Sequence, residues 1–174
     1  DVTAMGDIGE SLIGLTYSPS NVCEHGTLVL RSSNIQNGAL SFEDNVYVNM
    51  EVPKRVIVQE GDILICVRNG SRQLIGKCAR IDKNTAGSAF GAFMSVYRSK
   101  FADFVFYQFQ SNIIQRQINE VMGATINQIT NKDLAVFKVV LPPTKAEQTA
   151  IAAALSDADA LIRSLEKLIA KKRS

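Results

Sequence analysis

The last thirty residues constrain this chain more than any other segment. Ile151, Leu155, Ala158, Ile162, Leu165 and Ile169 recur at alternating steps of four and three, and Leu161 and Leu168 widen the stripe. That spacing is the a/d seam of a coiled coil, an apolar edge that water does not tolerate uncovered. At ~1.5 Å rise per residue, about 30 residues make a rod of roughly 45 Å, longer than a core helix of a small domain requires. Two coverings suit such a stripe: a partner helix, or the chain's own domain folded against it.

The segment begins cleanly. Pro142-Pro143 precedes it, and the residue before a proline is driven out of the helical region. Thr144 and Glu147 match the S/T-x-x-E capping box, whose cap is typically worth ~1 kcal/mol. Lys171, Lys172 and Arg173 stand at the far end, where the helix dipole favours positive charge. The expected division is therefore a globular domain over residues 1–143 and a spacer or dimerisation helix over 144–174. A chain of 174 residues can bury one ordinary core and an appended element, not two full domains. The start at Asp1 without methionine, and the stop within a basic helical pattern, lead us to expect a piece of a longer or processed protein.

Residues 27–103 read as short strands between turns. Asn37-Gly38 is a hairpin signal. Ile63 to Val67, ILICV, is an apolar run suited to a strand covered on both faces. LIGKCARI and AFGAFMSVYR are expected to lie beside it in one twisted, mostly antiparallel sheet. From Phe101 to Met122 the spacing becomes helical, with Phe104, Tyr107, Phe109, Ile113, Ile114, Ile118 and Val121 on one broad face. Thr130 and Asp133 cap one more short helix, and VFKVVL is a final strand. The fold class expected is α+β, a sheet with packed helices followed by a long coiled-coil helix.

Charge is unevenly placed although the net value is only +2. Residues 1–50 hold one base, Arg31, against six acids, whereas residues 51–100 hold nine bases against four acids. An anionic partner is expected on the second stretch. No run approaches the ~18–20 apolar residues of a membrane span, and the N-terminus lacks the order of a signal peptide. A cytoplasmic protein without a membrane association is the expectation.

Enzyme chemistry finds little to work with. The single histidine, His25, lies in a polar, acidic loop, and there is no G-x-S-x-G elbow, P-loop or dinucleotide fingerprint. Cys23, His25, Cys66 and Cys78 lack any C-x-x-C pairing, so a metal site is not expected, and Cys66 and Cys78 read as small core hydrophobes. The polar loop after Val67 is more informative. Arg68, Asn69, Ser71, Arg72 and Gln73 are side-chain types that read base edges, arginine to guanine and amides to adenine, and Gly70 allows close backbone approach. The stretch around Thr125, Asn127 and Gln128, and the one from Ser32 to Asn34, have the same composition. Each also suits an ordinary solvated loop.

Taken together, GDILICVRNGSRQLIGKCARI and GATINQITNKDLAVFKVVLPPTKAEQTAIAAALSDADALIRSLEKLIAKKR resemble the type I restriction-modification specificity subunit family. The join of LPP, EQ and a heptad helix ending LEKLIAKKR is the most specific element, and the resemblance runs from about Gly6 to Arg173. It implies a non-catalytic module that grips one half of a split site in double-stranded DNA. It implies helices that pair antiparallel and set the distance between half-sites, with methyltransferase and restriction subunits as partners. S-adenosylmethionine would belong to the methyltransferase subunit, and this chain is expected to hold no cofactor. Family members carry two recognition domains and two helices; one of each here means either half of a longer subunit or a half-subunit that dimerises. On this reading Arg68 and Arg72 are the foremost base or phosphate contacts, Asn69, Ser71, Gln73 and Lys77 support them, and Asn34, Thr125, Asn127 and Gln128 follow. Ile151, Leu155, Ala158, Ile162, Leu165 and Ile169 are the dimerisation seam. The competing expectation is an adaptor whose loops bind protein, a contact that salt would weaken far less than phosphate binding.

Overall fold

The computed structural model describes residues 1–123 and 127–173. In chain order its elements are β1 (Val2–Ala4), α1 (Met5–Ile8), β2 (Glu10–Ile13), β3 (Val22–Cys23), β4 (Thr27–Leu30), β5 (Ile35–Gln36), β6 (Ala39–Leu40), β7 (Tyr47–Val48), β8 (Ile63–Cys66), β9 (Cys78–Arg80), β10 (Ala89–Phe90), β11 (Met94–Arg98), α2 (Ala102–Gln110), α3 (Asn112–Val121), α4 (Asn131–Val136), β12 (Lys138–Val140) and α5 (Lys145–Arg173). The class is α+β, with mostly antiparallel sheets and a long terminal helix.

The apolar run Ile63–Cys66 is buried at every position, because β8 lies inside the four-stranded order β2-β11-β8-β9 and is covered on both faces. The three segments expected to be neighbours do meet here, all antiparallel, with Met94 opposite Cys66 and Ile65 opposite Cys78. AFGAFMSVYR, however, is not one strand. It breaks at Gly91: Ala89 and Phe90 pair in parallel with β4 in a second sheet, ordered β10-β4-β7-β3, while Met94–Arg98 joins the first. The Gly91 carbonyl accepts from Met94 N at 2.9 Å, turning the chain between the sheets. The Asn37-Gly38 hairpin between β5 and β6 forms as expected, with both residues at positive φ, 51° and 72°.

The helical stretch after Phe101 also breaks. Ser111 adopts an extended conformation, φ −79° and ψ 155°, and ends α2 and begins α3. Its hydroxyl donates to the Gln108 carbonyl at 2.7 Å, the local competition with backbone bonding that makes serine a poor interior helix residue. The kink lets Phe104 and Phe109 of α2 and Ile114 and Ile118 of α3 all reach the core, whereas Ile113 and Val121, expected on the same face, are left exposed. Phe109 meets Tyr97 edge to face at 5.7 Å, and the buried Tyr97 hydroxyl donates to the Met5 carbonyl at 2.7 Å. Burial pushes the Tyr97 phenol well above its usual range.

Thr130 and Asp133 form the expected capping box of α4. Asn131 then ties that helix to the first sheet, donating to Ser11 O at 2.9 Å and accepting from Ser95 Oγ at 3.0 Å. β12 pairs with β1, Val2 opposite Val140. Thr144 and Glu147 exchange the capping-box hydrogen bonds at the start of α5.

Helix α5 has two distinct sides. Gln148 and Ala152 are buried against the globular part, and Tyr107 of α2 donates to Asp159 Oδ2 at 3.2 Å. Ser156, Asp159 and Arg163 continue that side along a crevice shared with α2 and the β5–β6 hairpin. Positions 148, 152, 156, 159 and 163 lie about 100° around the helix from the 151–169 seam, at 3.6 residues per turn. The domain therefore holds its helix by small and polar side chains and leaves the apolar seam outside.

Candidate nucleic-acid interface

The loop that follows β8 cannot continue the sheet beyond Val67, because its next residues are polar and its backbone bonds go elsewhere. Val67 N and Arg68 N both donate to Phe93 O, each at 3.1 Å, and Asn69 N donates to Asn127 O at 3.2 Å. Arg68 forms an isolated antiparallel bridge with Gln128. Asn127 returns a side-chain bond to Gly70 O at 2.9 Å, and Asn69 Nδ2 donates to Ser32 Oγ at 3.1 Å. Three stretches that are far apart in sequence, around residues 32, 68–73 and 127–128, are thus tied to one surface.

On that surface Arg68, Ser71, Gln73 and Gln128 are exposed, while Asn69, Asn127 and Lys77 are half-buried. Asn69 Oδ1 accepts from Ser71 N at 2.9 Å, so its amide holds the loop's shape with both ends. The Arg68 guanidinium lies over the Phe93 ring, its central carbon 5.0 Å from the ring centroid. Arg72 faces another way: its guanidinium donates to Asn119 O and Gly123 O at 3.3 and 3.2 Å, neutralising the carbonyl end of α3. Its base-reading assignment is weakened accordingly, since two of its donors are committed. Thr125 lies outside the described residues.

Asn34 is a correction. It is fully buried; its Oδ1 accepts from Arg31 N at 2.9 Å and its Nδ2 donates to Ser41 O and Asn45 Oδ1 at 3.0 and 3.1 Å. An amide with every polar atom engaged inside the protein fixes the 31–45 loop and is not presented to a base.

The basic stretch over residues 51–100 is also divided by its partners. Arg98 grips the buried Asp62 with two bonds, 2.8 and 2.7 Å, and that carboxylate in turn holds the arginine's pKa up. Arg80 is ion-paired with Asp103. Arg55 donates to Ile13 O at 3.4 Å. Arg68 and Lys77 stand beside the loop itself. Lys77 is close enough to Cys66 for its charge to counter, in part, the burial that pushes that thiol up.

Beside the converging loops opens a cleft of about 630 Å³ whose lining includes Tyr17, Val22, Ser32, Ser33 and Phe93. Phe93 was not singled out in the sequence, where it reads as one aromatic of a strand; the glycine two residues before it was the available sign of a turn. Among the described residues no three His, Cys, Asp or Glu side chains gather where a metal ion could be held. Cys66 and Cys78 are buried core residues on adjacent strands. No helix among the described residues is long and apolar enough to cross a membrane.

The second surface of interest is the seam. Ile151 and Leu155 are 41% exposed, Ile162 54%, Leu165 50% and Ile169 50%, and Ala158 is exposed with them. Leu161 and Leu168 are more exposed still.

An α+β body followed by a long terminal helix is a fold shared with known proteins. The chain belongs to the type I restriction modification DNA specificity domain family, whose model matches residues 1–171. It is 31% identical over 133 residues to the EcoKI specificity subunit of Escherichia coli K12, and 29% identical over the same length to the StySPI specificity subunit of Salmonella potsdam. Each alignment covers 71% of this chain and 27% of the relative, so the matched region spans about a quarter of the relatives' length. The same fold appears in a chain from a structural description of type I R-M complex assembly and conformational transition, with a TM-score of 0.74, 18% identity, and coverage of 99% of this chain and 41% of that one. The HsdS subunit of Thermoanaerobacter tengcongensis gives 0.69 at 16% identity, with 98% and 45% covered. The S subunit of M. genitalium gives 0.64 at 18% identity, with 99% and 42% covered.

Proposed function

We propose that this chain is one DNA-reading half of a type I specificity subunit: a recognition body over residues 1–143 and a helical spacer over 144–174. It acts without catalysing a reaction. Its loops read one half of a bipartite site in double-stranded DNA, and the assembled subunit directs methyltransferase and restriction partners, in the cytoplasm where such complexes meet DNA. S-adenosylmethionine belongs to the methyltransferase partner.

The observation that carries this reading is the convergence of the 68–73 loop, Ser32 and the 127–128 stretch on one surface. Base readout needs polar side chains held rigidly at one place, since a bidentate contact is worth about 1–3 kcal/mol of discrimination only when its geometry is fixed. Arg68 is the foremost base contact. Asn69 and Asn127 position the loop, Ser71, Gln73, Lys77 and Gln128 flank it, and Arg72 contributes whatever donors α3 leaves to it.

The seam Ile151, Leu155, Ala158, Ile162, Leu165 and Ile169 takes a matching helix, from a second half of the same subunit or from a second copy. Because Gln148, Ala152 and Asp159 dock α5 on another side, the partner can bind without undocking the helix. A helix of 29 residues spans about 44 Å, and its length sets the spacing of the two half-sites.

The test is methylome sequencing of a host with the intact gene, with an Arg68→Ala allele, and with one heptad inserted after Leu155. The intact gene yields a two-part methylated motif. The alanine allele relaxes or loses one half of that motif, and the insertion lengthens the gap. An unchanged motif in both variant strains overturns the reading; binding to protein in place of DNA would show as no motif at all.

A further inference from the structure

Phe93 is 57% exposed, an uncommon place for a large aromatic that the core does not use. It sits in the turn between β10 and β11, and its carbonyl receives both Val67 N and Arg68 N. Its ring lies under the Arg68 guanidinium. Backbone and side chain of one residue therefore fix both ends of the same arginine.

An exposed arginine otherwise samples many rotamers, and ordering its side chain on DNA costs conformational entropy. A guanidinium already stacked on an aromatic face loses less on binding, because the plane that carries its fork of donors is set beforehand. Gln128 across the bridge and Asn69, pinned to Ser32 and Asn127, lie on the same surface as that arginine.

We propose that Phe93 is a positioning residue for base reading: it holds the Arg68 guanidinium in its reading orientation and so sets how sharply one base pair is distinguished. This rests on the reading of Arg68 as a base contact.

The experiment uses the full-length protein that carries this chain, assembled with its methyltransferase subunit. Binding is measured to a duplex bearing the methylated motif and to duplexes with one base pair changed. Phe93→Ala is expected to lower the preference for the correct duplex by about two- to fivefold, the size of an exposed cation–π contact. Phe93→Trp and Phe93→Tyr keep the preference, Phe93→Leu does not, and the melting temperature of each variant stays at that of the parent. In an Arg68→Ala background, Phe93→Ala has no further effect. An equal loss in that background overturns the proposal, since the ring would then be touching DNA or supporting the fold on its own account. Full retention by Phe93→Leu overturns it too, because an apolar filler would suffice. If the parent protein shows no preference among the duplexes, it is the reading of the whole surface that fails, and not the role of the ring.

Discussion

Tyr107 of α2 donates a hydrogen bond to Asp159 of α5 at 3.2 Å across 52 residues of sequence. Desolvation, chiefly, raises the phenol's pKa, and the Asp159 charge adds to it, so the hydroxyl stays protonated and able to donate throughout the neutral range. The contact holds α5 two turns beyond Ala152, where the helix is buried against its domain. Tyr107→Phe is expected to cost about 1 kcal/mol or less. Its larger effect is on orientation: amide exchange over residues 150–160 should quicken while exchange in β8 and β11 is unchanged. Equal protection of the helix in parent and variant would mean that this bond does not hold α5 to its domain.

The two sides of α5 separate under substitution. Ala152→Glu places a carboxylate where the helix is 5% exposed against its domain, and should lower stability by about 1–3 kcal/mol. Leu165→Glu, on the seam, should leave the unfolding midpoint of the globular part within about 0.5 kcal/mol of the parent and abolish helix pairing. Denaturation and sedimentation of both variants read the two effects independently; loss of stability in the Leu165 variant, with pairing intact, would mean the seam is covered by its own domain.

Asn34→Ala leaves Arg31 N, Ser41 O and the Asn45 amide without the partner they have now. Stranding buried polar groups costs about 2–3 kcal/mol, or roughly 5–10 °C in melting temperature for a domain of this size. Were Asn34 a reader of bases, the methylated motif would change and the melting temperature would not.

Gly14 packs against the Gly91 carbonyl, and a Cβ there would collide with the backbone of Phe90 and Gly91, where the chain leaves β10. Gly14→Ala should destabilise by about 3 kcal/mol through overpacking. Gly61 is the control for the strain of positive φ without collision: its φ is 86° and nothing stands within 4 Å of the added atom. Gly61→Ala should cost about 1 kcal/mol. Urea midpoints rank the two, and the reverse order would refute the packing account.

Alkaline pH should weaken the fold. Burial lifts the Cys78 thiol to about 12 from the ordinary 9.0, and Tyr97 is raised also. Between those values an unfolded thiol has released its proton while the folded one retains it, so the unfolded state binds fewer protons and stability falls as pH rises. The slope is about 1.4 kcal/mol per pH unit for each such group once the pH exceeds its unfolded value. Stability measured from pH 7 to 10.5 should be flat to about 9 and then decline, and Cys78→Ala should flatten part of that decline. A constant midpoint across the range would mean the thiol is not buried.

Legibility in the sequence followed the range of the interactions. The Asn37-Gly38 turn and the boxes at Thr130/Asp133 and Thr144/Glu147 are set by residues within four positions of one another, and each formed as read. Ile63–Cys66 announced a doubly covered strand because all four residues are apolar. The break at Ser111 did not show, since a serine weakens a helix without always ending it, and the burial of Phe109 and Ile114 on either side of the turn adds to its bond with Gln108. The split at Gly91 likewise depends on Leu30 and Gly14, far away in sequence. At the candidate interface the residue types were visible but their allegiance was not. Asn34 and Asn69 look alike on paper; one faces inward to Ser41 and Asn45, the other joins Ser32 to the loop. Phe93 carried no sign of exposure beyond the glycine before it.

The pairing of β1 with β12 has a last consequence. Asp1 and Leu141 exchange hydrogen bonds, 2.9 and 2.8 Å, just ahead of the prolines that introduce α5. The two ends of the globular part are thereby clamped side by side at the root of α5, which is docked again further along at Gln148, Ala152 and Asp159. Insertions or deletions in the loops that lie between Asp1 and Leu141 can therefore leave the root of α5 in place, because the clamp that fixes it is made of backbone groups and depends on no side chain.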